Sequence, residues 1–226
     1  MAKEISYYNG KTKKWIREPK AKDGCKYTAY DTPDDDEIKY FIETEWKSEV
    51  ISESAINMLF NRLLPDNTAK EQVFAKIGLL NDVYSTNLSN KQKTRIAEII
   101  SSEHEFDRIV KAENTNAEYF NDLCLRIKKD PDVNEAPYSF LSKYFSHHNP
   151  NYYPIFDGYV EIMLKWYRDH SNCGFCFSNE ALSRREYGEF ASVIKDFKTK
   201  FNLKSSIKEI DQFLWTAGKI FFFKYE

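Results

Sequence analysis

Residues 139–160 read SFLSKYFSHHNPNYYPIFDGYV. This stretch sets one lysine and one aspartate on either side of a proline-marked turn between two apolar runs. Lys143 stands three residues after Phe140 and four before His147, inside an apolar pattern where lysine is an unusual choice. Burial at such a position lowers the pKa of an ammonium group and leaves a fraction of neutral, nucleophilic amine. The plainer reading is a lysine that snorkels to solvent from a helix edge. Asp157 follows Tyr-Tyr-Pro-Ile-Phe and precedes the next apolar run, the position of an N-cap. A carboxylate whose rotamer is fixed by a helix start can also face a cation. An amine and a carboxylate held across a helix–turn–helix can together attack a sugar carbon and stabilise the charge that develops there.

Working outward, apolar residues recur at spacings of three and four along most of the chain. Ile56, Leu59, Phe60, Leu63 and Leu64 form one stripe, ended by Pro65-Asp66-Asn67, and Thr68 is placed to cap the next helix, read from Val73, Phe74, Ile77, Leu80 and Val83. The same period continues through Ile96 and Ile100, through Phe106, Ile109 and Val110, through Phe120, Leu123, Cys124 and Ile127, and through Phe140, Tyr144 and Phe145. It resumes in Val160, Met163, Leu164 and Tyr167, in Phe190, Val193, Ile194 and Phe197, and in Ile207, Ile210, Phe213, Leu214 and Ala217, with Gly218 as a stop. The closing IFFFKY is apolar enough to be buried. Residues 1 to about 45, with the acidic run Asp34-Asp35-Asp36-Glu37, show no helical period and are expected to be loops with a short strand pair. The expected fold class is therefore mainly α: an N-terminal extension over residues 1–50, irregular or β-containing and packed on the body, and a helical domain over residues 51–226.

Composition narrows the function classes. The chain has 226 residues, 42% hydrophobic and 30% charged, enough for a substantial core. Its net charge of -2 excludes a generally basic protein that coats nucleic acid, so any DNA contact must come from a local patch. The 15 Tyr and 17 Phe offer flat faces for core packing or for stacking on bases. The N-terminus lacks the apolar core of a signal peptide and no stretch approaches the length of a membrane helix, which predicts a cytoplasmic protein with no membrane partner. Cys25, Cys124, Cys173 and Cys176 are too few and scattered for a disulfide framework. Cys173-Gly-Phe-Cys176, near His170, is half of a zinc pattern, and no metal is expected. Neither a Walker loop, GxGxxG nor HExxH is present.

Two further constellations bear on chemistry. In LLNDVYSTNL, residues 79–88, an apolar helix turns abruptly into polar residues, among them Asn81, Tyr84 and Thr86. Such an end can donate to phosphates or fill a hole in a base stack, or it is a helix C-terminus with local hydrogen bonds. In IDQFLWTAGK, residues 210–219, Asp211 and Trp215 share a helix face at i, i+4. They are able to stack on a base and accept its N–H donors; otherwise Trp215 is core and Asp211 a cap.

In this order and combination these features resemble the helix-hairpin-helix DNA glycosylase superfamily, in particular bacterial proteins with an 8-oxoguanine-glycosylase-like fold. The resemblance covers about residues 55–220 and implies a two-lobed helical fold. By it, Lys143 attacks the sugar carbon and Asp157, after Pro154, assists; Tyr84 is the wedge that fills the vacated stack, with Asn81 and Thr86 nearby; Asp211 and Trp215 form the base pocket; Ser142, His147 and His148 lie against DNA. The implied partner is double-stranded DNA with a modified base flipped into the cleft between lobes, bound by a monomer without cofactor. The iron–sulfur cysteine motif of some members is absent, and the hairpin loop Glu135-Ala136-Pro137-Tyr138-Ser139 carries no glycine. The implied substrate is oxidised guanine, with modified cytosine of phage DNA as an alternative. A rival class is a non-catalytic helical DNA-binding or scaffold protein, for which Lys143 is exposed and far from Asp157, whereas a glycosylase holds both in one pocket.

Overall fold

In the computed structural model the described residues are 8–9, 14–15, 19, 23–133, 137–171, 173–183 and 186–222. The strands β1 (Tyr8–Asn9) and β2 (Lys14–Trp15) pair antiparallel, Tyr8 opposite Trp15. The helices are α1 (Asp35–Tyr40), α2 (Val50–Met58), α3 (Lys70–Tyr84), α4 (Asn90–Ser101), α5 (Phe106–Val110), α6 (Ala117–Lys129), α7 (Tyr138–His148), α8 (Gly158–His170), α9 (Asn179–Ser183), α10 (Tyr187–Lys200) and α11 (Ile207–Phe221). The protein is mainly helical. No helix among the described residues is long and apolar enough to cross a membrane.

Local chemistry explains several of the helix starts. Ser89 with Gln92, and Ser206 with Glu209, form capping boxes at α4 and α11, satisfying orphan backbone donors reciprocally. Asn116 caps α6 through the backbone N–H of Tyr119. Residues 34–37, expected to be loop, instead begin α1: Asp34 accepts from the N–H of Glu37 at 2.8 Å, and Asp35, Asp36 and Glu37 lie in the first turn, where the helix dipole favours negative charge. Thr68 is not the cap of α3; Ala69 holds that position, with no side-chain hydrogen bond. The stripe from Ile56 to Leu64 also departs from expectation, because α2 passes into a π-helical turn over Leu59–Leu63. The wider turn shifts the apolar phase, leaving Phe60 buried and Leu63 60% exposed.

The chain divides into two units, each built from segments distant in sequence. The first comprises Met1–Lys47, Phe156–Asn179 and Val193–Glu226. In it α8 packs along α11. Gly218 is not a stop but lies inside α11, where a Cβ would come within 2.7 Å of the Tyr159 carbonyl oxygen, so the glycine sets how closely the two helices approach. Phe41 meets Phe213 and Phe221 edge-on, and the indole N–H of Trp166 donates to the Ala29 carbonyl at 2.7 Å. Phe221 and Phe222 are buried; residues 223–226, the rest of the closing apolar run, lie outside the described residues. Glu37 is fully buried, with both carboxyl oxygens lacking a hydrogen-bond partner. Burial, reinforced by Asp31 and Asp34, pushes its pKa up to about 9, so it is neutral at pH 7.

The second unit comprises Ser48–Ile155 and Glu180–Ser192. Its α3 packs on α4 and on α7, and α6 also meets α7. Tyr138 and Phe140 to His147 are all buried on α7, which makes it the central helix of this unit. Phe145 packs edge-on against Phe106, Phe120 and Tyr153. Tyr187 stacks on Phe120 at 3.9 Å and donates its hydroxyl to the Pro154 carbonyl at 2.7 Å.

Candidate active site

The lysine of the opening stretch is an interior residue. Lys143 is 2% exposed on α7, whose neighbours are aromatic, so its position follows from the apolar pattern that surrounds it in sequence. Its Nζ donates to Ser139 Oγ, one helical turn earlier, at 2.7 Å. It also lies 5.3 Å from the centroid of the Tyr84 ring, where the negative face of the ring attracts a cation. Tyr84 Oη and His147 Nε2 are 2.9 Å apart, and His147 Nδ1 lies 4.0 Å from Glu53 Oε1. Thus α2, α3 and α7 bring Glu53, Tyr84, Ser139, Lys143 and His147 together in the second unit. Lysine, histidine, tyrosine and carboxylate in one enclosed polar cluster are the materials of amine chemistry: a nucleophile, groups that pass or hold its proton, and a low-dielectric surround.

The remaining expected site residues of this unit are placed as follows. Ser142 is buried and donates to the Ser139 carbonyl at 2.8 Å. His148 has its Nε2 3.2 Å from Asn67 Nδ2, and burial, together with Lys76 and Lys111, holds its pKa well below the usual imidazole range. Asn81 and Thr86 close the end of α3: Asn81 Oδ1 accepts from the Thr86 hydroxyl at 2.9 Å and from the Leu88 N–H at 2.7 Å. These bonds accommodate the left-handed backbone of Ser85, at φ 49°. Pro154 is buried in the turn. Of the hairpin loop, Glu135 and Ala136 lie outside the described residues.

In the first unit, Asp157 caps α8, its Oδ1 accepting from the Tyr159 N–H at 3.0 Å. Asp211 and Trp215 lie on α11. Asp211 is not its cap, since Ser206 is, and it is 4% exposed. Trp215 is half-buried, edge-on to Trp46 at 5.3 Å and to Tyr159 at 6.2 Å, with Lys219 Nζ 4.6 Å from its ring centroid. Among the described residues no group of three or more His, Cys, Asp or Glu side chains is arranged to hold a metal ion.

A second buried lysine escaped sequence reasoning. Lys76 of α3, fully buried, donates to Asn67 Oδ1 at 2.5 Å and to the Asp66 carbonyl at 3.0 Å, beside the rings of Phe60 and Tyr144. Asn67 in turn is held by Asp107 and accepts from the Tyr144 hydroxyl at 2.5 Å. Burial lowers the Lys76 pKa to about 8. Its place three residues after Val73 and one before Ile77 was the available signal.

Two comparisons place the chain among known proteins. The family model HI_0787_N, described as an N-terminal domain, matches residues 37–152. An uncharacterised protein of Haemophilus influenzae strain Rd is 33% identical over 160 residues, covering 70% of this chain and 72% of the relative. No solved structure matches.

Proposed function

The chain belongs to the HI_0787_N family; from the surroundings of Lys143, and not from that membership, we propose that it is a DNA glycosylase in which Lys143 is the nucleophile. The observation that carries the reading is the burial of Lys143 on α7 with Ser139 as hydrogen-bond partner and the Tyr84 ring beside it. A lysine kept for solubility is exposed; one enclosed among aromatic side chains pays in hydration and is retained for a use. The proposed fold is that of the helix-hairpin-helix glycosylases, the partner is duplex DNA with a flipped modified base, and the substrate is oxidised guanine.

In this mechanism Lys143, having passed a proton into the cluster, attacks the sugar carbon that carries the base. Asp157 supplies negative charge that opposes the cation developing on the sugar. The base leaves and the lysine forms a Schiff base, from which strand cleavage follows as a second step. Tyr84 must turn away from Lys143 for the amine to meet DNA, so the same tyrosine that fills the vacated stack uncovers the nucleophile. Asp211 and Trp215 contact the base.

The test is base release from duplexes carrying 8-oxoguanine, 5-hydroxymethylcytosine or no modification. The folded protein is expected to release 8-oxoguanine, and Lys143→Gln to lose at least about a hundredfold in rate with an unchanged melting temperature. Release of the modified cytosine alone would move the substrate. Release from none of the duplexes would contradict the reading.

A further inference from the structure

We propose that Cys173 and Cys176 are a reversible redox pair that closes to an intramolecular disulfide by exchange with a small-molecule disulfide such as glutathione disulfide. Both thiols are free and exposed, on the segment that follows α8 in the first unit. Two features build this segment. Gly174 adopts φ +75° with nothing within 4 Å of where a Cβ would lie, so glycine serves the backbone conformation there and not a lack of space. Phe175, 2% exposed, is inserted edge-on against Phe197 at 5.4 Å and lies 5.8 Å from Phe201, both of the same unit. The chain therefore turns at Gly174 and is pinned inward at Phe175, while the cysteines on either side of these two residues remain in solvent.

This arrangement differs from that of the other two cysteines, of which Cys124 is buried and Cys25 half-buried. It also differs from a metal site. Among the described residues these two thiols belong to no group of three or more His, Cys, Asp or Glu side chains arranged to hold a metal ion, and His170, the nearest histidine in sequence, stacks on Trp166 at 3.6 Å. What is left is an accessible dithiol with two residues between its members. The thiolate of one cysteine attacks a sulfur of glutathione disulfide, forming a mixed disulfide and releasing one glutathione thiolate. The second protein thiolate attacks the protein-bound sulfur, closes the ring and releases the other glutathione. Two protein thiols are oxidised, one glutathione disulfide is reduced to two thiols, and the two protons lost by the protein are taken up by the glutathione thiolates. The ring closed is short, so the bond contributes little to folding and opens again under reducing conditions.

Incubating the full reduced chain with glutathione disulfide, quenching with iodoacetamide and mapping the peptides tests this. The expected result is loss of alkylation at Cys173 and Cys176, a mass about 2 Da below that of the unalkylated reduced peptide that contains them, and full recovery of alkylation with excess reduced glutathione. Cys173→Ser should stop at a stable glutathione adduct on Cys176, because the resolving thiol is gone. Cys124→Ser should behave as the parent does. Persistent alkylation of both thiols, or a stable adduct on the parent chain with no ring closure, would overturn the proposal.

Discussion

Buried ionisable residues sort by whether their surroundings satisfy them. Lys76 is satisfied by Asn67 and the Asp66 carbonyl, and its network ties α3 to the residues before it and to Tyr144 of α7. Removing Asn67 takes away one of the two acceptors of a buried ammonium and leaves the Tyr144 hydroxyl without its own, which costs roughly 1–3 kcal/mol. Asn67→Ala should therefore lower the denaturation midpoint strongly, whereas a loss under 1 kcal/mol would mean the network contributes little. Glu37 is the opposite case, with neither oxygen bonded. Its folded pKa, about 9, lies above the value of 4.5 for an unburied glutamate. The protonated form is therefore favoured by folding, and the stability it confers is whole below about pH 4.5 and is lost progressively as pH rises toward about 9. Glu37→Gln cannot ionise. It should be within about 1 kcal/mol of the parent at pH 5 and stabilising at pH 8 by roughly 4–5 kcal/mol, visible as a rise of about ten degrees or more in Tm. An unchanged slope of Tm against pH would contradict this. Lys143 was legible in the sequence because its neighbours Phe140, Tyr144 and Phe145 mark an apolar helix; Glu37 was not, because an acidic run reads as solvent-facing until the cap at Asp34 turns one of its members inward.

At the scale of elements, the period of three and four placed the helices from α2 to α8 and α10 and α11, but neither the short α9 nor the phase changes. The π-helical turn after α2 depends on an extra residue per turn that no local pattern announces. Gly218 was misread for a related reason: its meaning lies in Tyr159 and Met163 of a different helix. Adding a methyl group there forces α8 and α11 apart, at roughly 1–3 kcal/mol, which outweighs the gain of about 1 kcal/mol in helix propensity. Gly218→Ala should thus lower Tm by several degrees; a rise would show that the helices adapt without strain. Asp157→Asn separates two roles, because asparagine caps a helix about as well as aspartate. Stability should hold while base release falls by orders of magnitude, and near-normal turnover would remove Asp157 from the mechanism. For Trp215→Ala, contact of the indole with a flipped base predicts binding weaker by roughly ten- to a hundredfold, from the ~1–3 kcal/mol of stacking. A role confined to packing against Trp46 and Tyr159 predicts instead a lower Tm with full activity in the folded fraction.

For the whole molecule, helical class was readable because hydrophobic periodicity is local and repeated. Which segments make up each of the two units was not, since each joins segments from distant parts of the chain and only long-range packing reveals them. The cluster of Glu53, Tyr84, Ser139, Lys143 and His147 shows the same divide: Lys143 stood out, but its company depends on α2, α3 and α7 meeting. Family membership fixes relatives without assigning them an activity, so the central claim rests on the lysine. It is tested most directly by borohydride reduction in the presence of duplex DNA bearing an abasic site, which needs no knowledge of the base. The account predicts a covalent protein–DNA adduct that maps to Lys143 and disappears in Lys143→Gln while DNA binding persists. An adduct undiminished in that variant, or none formed by the folded parent protein, would contradict it.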